Sequence, residues 1–261
     1  MDPDSRGILY PARLPTFHRS PAPQPVEVFV RWFWLPSWHL APGRTSRQEV
    51  LPFPASNLTV MPDGVAVSGP TTRISHRDLT GTGWAVGALL RPAGIAGLGI
   101  APSAIRDAES PVDAADLHRE VVAAMTEGDR DAAVGAFSAW ILGTFTAPDD
   151  GALAANALED LVRTDRSIVR VEQLAEHLHL SVRSVQRLAE RYVGRPPLAI
   201  IRRYRLQEAA QRLREETGAT VAQVAADLGY ADHAHLTADF RDVLGLTPRS
   251  YRASQPPAPR A

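Results

Sequence analysis

The segment ADHAHLTADF, residues 231–240, holds two histidines and two aspartates, which are residue types that bind divalent metals. His177 and His179 add two more imidazoles upstream, in EHLHLS. Such ligands would form a metal site if they converged on one point. Because residues two apart on a helix point about 200° apart, His233 and His235 cannot share one metal. We expect His233 on the outward face and His235 toward the core. We therefore expect neither a metal nor another cofactor, and interpret the segment as part of a binding helix.

Composition excludes several kinds of chemistry. The 261 residues include no cysteine, so thiolate nucleophiles, disulfides and cysteine-ligated zinc are absent. No apolar run reaches the roughly 18 residues of a membrane span, and the N-terminus lacks a basic-then-apolar signal pattern. We expect a cytoplasmic, nucleoid-associated protein without a membrane partner.

The net charge of −1 conceals an uneven distribution. Residues 1–162 carry 12 arginines against 18 acidic residues, whereas residues 163–261 carry 16 arginines against 11 acidic residues. The second part is therefore positive, and this asymmetry predicts that it meets a polyanion.

The N-terminal half has the pattern of a β domain followed by helices. Residues 1–25 are rich in proline and are predicted to be an irregular lead-in. From residue 26, short runs rich in Val, Trp and Phe alternate with turn residues, which predicts a β-sandwich or barrel over 26–108. The predicted strands are VEVFVRWFWL, QEVLPF, NLTVM, GVAVS and WAVGALL. Ala-rich segments with helical periodicity predict a helical extension and linker over 109–155. APDDG, at 147–151, breaks this pattern and predicts a domain boundary near residues 147–156. The fold class is therefore α+β with two domains.

Two segments of the C-terminal half repeat one another, VEQLAEHLHLSVRSVQRLAERYVG at 171–194 and VAQVAADLGYADHAHLTADFRDVLG at 221–245. In each, apolar residues at i, i+3, i+4 and i+7 predict a first helix. A short turn follows, and Ser181 or Asp232 provides the N-cap of a second helix. Two short helices across a tight turn predict a helix-turn-helix unit. We expect an all-α domain with two such units over 156–253, followed by a disordered tail over 254–261.

The second helix of each unit is predicted to bind DNA with its outward face. In the first unit that face carries Arg183, Ser184, Gln186, Arg187 and Arg191, and in the second His233, Thr237 and Arg241. Arginine pairs with guanine and glutamine with adenine in the major groove. Serine and the remaining arginines suit phosphates. A solvated surface stripe is the alternative interpretation of one such helix, but the tandem arrangement in positive surroundings favours DNA.

The segment between the units predicts their spacing. RPPLAIIRRYRLQEAAQRLREE begins with prolines and continues as a long helix. A helix of about 19 residues spans ~28 Å, and successive major-groove faces recur every ~34 Å. One chain can therefore place both recognition helices in adjacent major grooves.

These residues resemble the DNA-binding domain of the AraC/XylS family of bacterial transcription regulators. LSVRSVQRLAERYVGRPPLAIIRRYRLQEA is similar to the family's first unit and linker helix, and VAADLGYADHAHLTADFRDVLGLTPRSYR to its second unit. The resemblance covers about residues 160–253. It implies promoter DNA and RNA polymerase as partners, and it implies that Arg183, Gln186 and Arg187 supply most base contacts.

The second unit departs from the family pattern. Ala238 stands where the family usually presents an arginine, and Asp239 follows it. We therefore expect the second unit to contribute shape, backbone positioning and modest readout.

The N-terminal half resembles the cupin-like sensing domains of one branch of this family, through VRWFWL, RQEVLPFPASNLTVMPDG and VGALLRPAGIAGLGI. The resemblance implies a small-molecule effector or a homodimer. Relatives often carry histidines where this chain has Phe53 and Asn57, which argues against a cupin-type metal. A set of other side chains could line a pocket or simply fill a β core: Trp32, Trp34, Trp38, Trp84, His39 and Arg47.

Three functions remain open at this stage. The first is a transcription regulator whose N-terminal domain senses a ligand or dimerises. The second is an enzyme, or a metal-binding cupin, fused to a DNA-binding module. The third is a β domain that serves only as an interaction platform for a second copy or for RNA polymerase. We expect no enzyme, because neither a reactive cysteine nor a histidine–carboxylate metal cluster is evident.

Overall fold

The computed structural model describes residues 16–50, 53–216 and 218–253. The N-terminal part is built on antiparallel strands. Their bounds are β1 (Thr16–Pro21), β2 (Val30–His39), β3 (Thr45–Val50), β4 (Ser56–Met61), β5 (Gly64–Ser68), β6 (Ser75–Thr80), β7 (Thr82–Trp84), β8 (Val86–Leu90) and β9 (Glu109–Pro111). The main sheet has the order β1-β2-β8-β4-β5-β9, with β7 also on β2, and β3 and β6 form a separate ladder.

The main sheet has one fully buried face because successive side chains alternate across a strand. On β2, Phe33 and Leu35 are 0% and 1% exposed, while Trp32 and Trp34 on the opposite face are only half-buried. The ladder pairs Phe33 with Ala88 of β8. The buried face packs against helices that follow the sheet, and this contact forms the N-terminal core.

Ten α-helices lie in the described residues. Their bounds are α1 (Pro92–Gly97), α2 (Ala115–Thr126), α3 (Arg130–Thr144), α4 (Asp150–Thr164), α5 (Val171–His177), α6 (Val182–Tyr192), α7 (Pro197–Glu215), α8 (Val221–Asp227), α9 (His233–Leu244) and α10 (Pro248–Ala253). Helices α2 and α3 bury Leu117, Val121 and Phe137 against the sheet. Aspartate caps start two of these helices: Asp129 and Asp149 accept hydrogen bonds from the backbone of α3 and α4.

The C-terminal helices form two cores that share no residue. Helices α4 to α6 and the first half of α7 enclose one, around Leu174, Val185 and Ile201. The second half of α7 and helices α8 to α10 enclose the other, around Leu236 and Phe240. Helix α7 thus connects the two units and contributes to both cores.

Helix α4 joins the N-terminal and C-terminal parts. Ala152 and Ala155 belong to the N-terminal core, whereas Leu158 and Val162 belong to the first C-terminal core. Residue Asn156, between these pairs, donates to the carbonyl of Val28 at 2.8 Å and accepts from the amide of Ala93 at 3.0 Å. One amphipathic helix therefore has two different packing partners along its length.

A buried charged network strengthens this junction. Arg31 donates to Glu159 at 2.7 Å and to Asp160 at 2.5 Å, and Arg91 also binds Asp160. Glu159 is 2% exposed and accepts a further hydrogen bond, at 2.8 Å, from the hydroxyl of Tyr204 on α7. Burial alone would favour the neutral guanidinium, but the carboxylates of Glu159 and Asp160 raise the pKa of Arg31. The network holds β2, α1, α4 and α7 together.

The structure corrects parts of the sequence prediction. Residues 16–21 form β1, so the irregular lead-in predicted for 1–25 is wrong over this stretch. Strand β2 starts at Val30 rather than at Val26, which ends a short 3-10 helix. Residues 1–15 and the predicted disordered tail at 254–261 lie outside the described residues. Among the helices that are described, none has the length and apolar character of a membrane span.

Candidate nucleic-acid interface

The first helix-turn-helix unit consists of α5 and α6. Its turn needs a left-handed backbone, which His179 adopts with φ 53°. Ser181 then caps α6 by accepting the amide of Ser184 at 3.1 Å, as predicted from the sequence. Val185, Ala189 and Tyr192 are buried and fix the helix on its neighbours. The opposite face of α6 is therefore held outward.

The exposed face of α6 carries the residues predicted to contact bases. Arg183, Gln186 and Arg187 are all exposed. At spacings of i, i+3 and i+4 they lie on one face of the helix. Within the described part of the chain, neither arginine forms a salt bridge, so the guanidinium groups of Arg183 and Arg187 project as free hydrogen-bond donors. Two guanidinium groups and one amide are therefore presented together on this face.

The other two predicted residues of α6 also have partners within the protein, although the Arg191 side chain stays largely exposed. The Ser184 hydroxyl lies 2.9 Å from that of Ser181, within the cap. Arg191 lies over the ring of Tyr192 at 5.0 Å and 3.8 Å from a carboxylate oxygen of Asp149. The end of α6 therefore faces the N-terminal part of the molecule, and its start faces solvent.

The second unit, α8 and α9, repeats this local construction. Thr220 and Gln223 form a capping box at the start of α8. Gly229, with φ 67°, occupies the turn position that His179 occupies in the first unit. Asp232 caps α9 by accepting the amide of His235 at 2.7 Å, which confirms the predicted cap.

The outward face of α9 is less basic. His233 and Arg241 are exposed, and Thr237 is half-buried with its hydroxyl donating to the carbonyl of His233 at 2.8 Å. Asp239 is half-buried beside Tyr230; burial raises the pKa of Tyr230, and the Asp239 carboxylate acts in the same direction. The aspartate that looked like an unfavourable charge on the DNA face is thus turned toward the interior.

The four histidines lie in separate environments. His235, predicted to point toward the core, is exposed and packs edge-on against Tyr230 with ring centroids 5.3 Å apart. His177 Nδ1 lies 2.8 Å from the carbonyl of Gln173 at the end of α5. Across residues 16–50, 53–216 and 218–253, no three histidine, aspartate or glutamate side chains are grouped as a metal would require.

Most arginines of the linker helix α7 are structural, which the sequence did not reveal. Arg205 donates to the carbonyl of Leu228 at 2.6 Å, and Arg212 lies 2.8 Å from Asp227 and 3.0 Å from Glu216. These contacts complete the end of α8. Part of the positive charge of the C-terminal half is therefore neutralised by contacts inside the domain. The number of arginines in the sequence does not distinguish internal from exposed side chains.

The aromatic residues proposed to line a pocket are distributed over different surfaces. Trp34 Nε1 donates to the side chain of Asn57 at 3.0 Å, on the half-buried face of β2. Trp84 packs against the core on the other face. His39 lies 2.6 Å from Thr82, and Arg47 forms a two-point ion pair with Asp78 in the β3–β6 ladder. Trp84 is therefore separated by the sheet from Trp32 and Trp34.

Two family models match the chain. The one described as "Helix-turn-helix domain" matches residues 174–254, which include α6 to α10. The other, described as "Domain of unknown function (DUF6597)", matches residues 18–110, from β1 to β9. The matches coincide with the two parts of the molecule.

Curated relatives are similar to about a third of this chain. An AraC-like transcription regulator of Streptomyces lividans is 34% identical over 100 residues, covering 38% of this chain and 33% of that protein. The RCS-specific HTH-type transcriptional activator RclR of Escherichia coli is 38% identical over 82 residues, covering 31% of this chain and 28% of that protein. The chain thus spans about a third of the length of these relatives.

Among solved structures, ToxT from Vibrio cholerae O395 aligns with 13% identity and a TM-score of 0.47, covering 87% of this chain and 99% of that chain. The tandem units and their caps agree with the helix-turn-helix model that matches residues 174–254. The chain therefore carries a C-terminal helix-turn-helix domain and is similar to AraC-like transcription regulators.

Proposed function

We propose that this protein is a sequence-specific transcription regulator that binds promoter DNA through its tandem helix-turn-helix domain, residues 156–253. Helices α6 and α9 would enter adjacent major grooves, with α7 between them. Base readout belongs to Arg183, Gln186 and Arg187. His233, Thr237 and Arg241 supply weaker contacts, and Ser184 and Arg191 bind backbone phosphates. Such a protein acts at the nucleoid in the cytoplasm.

One observation supports this proposal above the others. Two arginines and a glutamine share the exposed face of α6, while many arginines nearby are bound to carbonyls or carboxylates. Long charged side chains held on a rigid helix without an internal partner are suited to a polyanionic ligand. The curated relatives to which this chain is similar are described as transcription regulators.

The β-rich part, residues 26–108, and the helices of residues 109–155 are proposed to sense a small molecule or to dimerise. The sheet-bearing region is joined to the DNA-binding region by the charged network around Glu159. A ligand or a second copy that moved this region would therefore act on α4 and α7. RNA polymerase is a further proposed partner at the promoter.

An enzyme fused to a DNA-binding module is the alternative. Both positions at which a cupin metal ligand would be sought have structural roles here. Phe53 packs edge-on against Trp32 and Tyr204, and Asn57 accepts a hydrogen bond from Trp34. A metal assay on the purified protein tests this alternative, which stoichiometric iron, manganese or zinc would support.

Mobility shift at two salt concentrations tests the proposed function. The probes are the DNA upstream of the protein's own coding region and an unrelated duplex of equal length. We expect saturable binding that prefers the upstream DNA and weakens steeply with salt. Arg183→Ala/Arg187→Ala should abolish the preference.

A matched control removes the same charge elsewhere. Arg44 and Arg130 are exposed in the N-terminal part and bind no carboxylate among the described residues. Arg44→Ala/Arg130→Ala should retain the preference for the upstream DNA. If both double variants lose affinity equally for every duplex, the binding reflects net charge alone and the proposed readout face is wrong.

A further inference from the structure

Two loops of the N-terminal part are tied to each other, residues 69–75 and 101–108. Asp107 accepts the amide of Thr72 at 2.6 Å and the hydroxyl of Thr72 at 2.8 Å. The amide of Asp107 in turn donates to the carbonyl of Pro70 at 3.2 Å. The approach is close: a Cβ on Gly69 would lie 1.9 Å from the carbonyl oxygen of Ile105. We call this pair of loops the two-loop clamp.

One loop of the two-loop clamp contacts the first helix-turn-helix unit. Arg106 donates to the carbonyl of Gly194 through Nε at 3.1 Å and Nη2 at 2.7 Å, and lies 3.2 Å from Glu190. Gly194 has φ 70°, and a Cβ there would lie 2.8 Å from the carbonyl carbon of Pro102. The loop of residues 101–108 therefore packs against the turn that directly follows recognition helix α6.

The other loop contacts the linker helix and the second unit. The amide of Ile74 donates to the carbonyl of Val243 in α9 at 3.2 Å, and the Ile74 side chain packs on the second unit's core. Arg203 of α7 donates to the carbonyl of Thr72 at 2.7 Å. Arg203 is 7% exposed, so the loop contacts a largely buried guanidinium.

These two contacts lie at equivalent places in the repeat. Gly194 follows α6, and Val243 lies in the last turn of α9, two residues before Gly245, the counterpart of Gly194. The two units have separate cores joined through α7. The two-loop clamp is thus a second connection between them, made by the N-terminal part at the same end of both recognition helices.

We infer that the two-loop clamp is a positioning device, in which Asp107, Thr72 and Arg106 hold the two recognition helices at one spacing and one angle. The expected effect on DNA binding rests on the proposed function, whereas the positioning role itself does not. With the loops tied, the protein accepts a single separation between two half-sites. With the loops untied, α7 alone connects the units, and several separations become acceptable.

The distance between the two units tests the inference without DNA. The chain contains no cysteine, so Glu176→Cys on α5 and Ala222→Cys on α8, both at exposed positions, allow two spin labels in the full-length protein. Double electron–electron resonance should give one narrow distance distribution. Asp107→Gly should broaden or shift it, because this change removes the carboxylate while suiting the left-handed backbone at φ 55°.

Two further variants separate the hydrogen bonds from a general loss of stability. Asp107→Asn keeps an acceptor for the Thr72 amide and tolerates a left-handed backbone, so it should restore most of the narrow distribution. Asp63→Gly, in the exposed turn between β4 and β5, is the matched control and should leave the distribution unchanged. Thr72→Val replaces Asp107→Gly if the latter fails to fold. An unchanged distribution in the folded clamp variants would overturn the inference.

Selection from a random duplex library measures which half-site spacings the protein accepts. The parent protein should enrich two half-sites at one spacing, and Asp107→Gly should enrich the same half-site sequences at several spacings. Enrichment at one spacing by both proteins would contradict a positioning role. Failure of the parent to enrich any sequence would contradict the proposed function, while the spin-label distances would still decide the role of the two-loop clamp.

Discussion

At the scale of single residues, His179 and Gly229 occupy the same turn position of the two units. Both have left-handed backbones, with φ 53° and 67°. Glycine adopts this conformation without the clash between Cβ and the carbonyl that other residues suffer. The exposed imidazole of His179 therefore occupies a strained position.

Replacing His179 by glycine should stabilise the protein. Glycine removes about 1–2 kcal/mol of backbone strain from the folded state. This gain is partly offset by ~0.5–1 kcal/mol, because glycine loses more conformational entropy on folding. Urea denaturation should show a net gain of up to about 1 kcal/mol in the free energy of unfolding. His177→Gly, in the last turn of α5, is the opposite control and should destabilise. A loss of stability in His179→Gly would reveal a stabilising contact of the imidazole.

Arg187 is the residue whose loss should change base preference most. Arg187→Ala should weaken binding to a selected site by ~1–3 kcal/mol and relax one base position. Arg187→Lys retains the charge but not the two-point geometry, so it should restore salt-dependent affinity without restoring the preference. Competition with duplexes altered at each base pair measures both effects.

A comparison with the second unit tests whether Arg187 contributes more to DNA binding than the exposed residues of α9. His233→Ala should reduce affinity less than Arg187→Ala, because α9 presents fewer donors on its exposed face. If His233→Ala abolished affinity and preference while Arg187→Ala left both intact, the assignment of specificity to the first unit would be reversed.

Residue-level features governed by local hydrogen bonds were predictable. The caps Ser181 and Asp232 follow from side-chain acceptors placed before periodic helices, and the structure confirms both. The orientation of His235 was predicted wrongly. Leu236, Phe240 and Leu244 form the buried stripe of α9, so His235 points to the side, where it packs on Tyr230 rather than in the core.

At the scale of elements, strands with a buried face were predictable and polar ones were not. GVAVS forms β5 over the predicted residues, because its apolar side chains serve the core. SHRDLT carries no such pattern, yet it forms β6 by pairing residue for residue with β3. Cross-strand partners stabilise such a strand, and a single segment does not contain that information.

The turns after the two recognition helices provide a matched pair for testing the contact of the two-loop clamp. Gly194 and Gly245 have φ 70° and 67°, but only Gly194 has backbone atoms close to the place that a Cβ would occupy. Gly245→Ala should cost about 1–2 kcal/mol through backbone strain alone. Gly194→Ala should cost ~1–3 kcal/mol more, because the methyl group meets Pro102 and Ser103.

Chemical denaturation of the two glycine variants gives the difference directly. Gly194→Ala should also broaden the spin-label distance between the units, whereas Gly245→Ala should not. Equal costs for the two substitutions would mean that the loop containing Pro102 moves aside freely and does not grip the first unit.

At the scale of the whole molecule, the sequence predicted two domains but not how they join. The turn APDDG was interpreted as a break near residues 147–156, and Asp149 indeed caps α4. The following helix, however, packs its first turns in one core and its last turns in another. An amphipathic pattern specifies that a face is buried, but it does not specify which surface covers it.

The charged network around Glu159 should account for a large part of the coupling between the two parts. Glu159 is 2% exposed. Glu159→Ala removes one of the carboxylates that bind Arg31 and the acceptor of the Tyr204 hydroxyl. Breaking a buried pair in this way should cost ~3–5 kcal/mol. Arg31→Met/Glu159→Met removes both charges together and should cost less than Glu159→Ala alone.

Calorimetry and limited proteolysis distinguish local from global consequences. In Glu159→Ala we expect the parent's unfolding transition to split, with the C-terminal helices becoming cleavable near α4 before the sheet unfolds. Arg47→Ala, which breaks the exposed ion pair with Asp78 in the β3–β6 ladder, is the control and should leave the transition intact. A single transition of unchanged midpoint in Glu159→Ala would show that apolar packing along α4 couples the two parts without the network, and that the proposed route from a sensed ligand to α7 does not run through these charges.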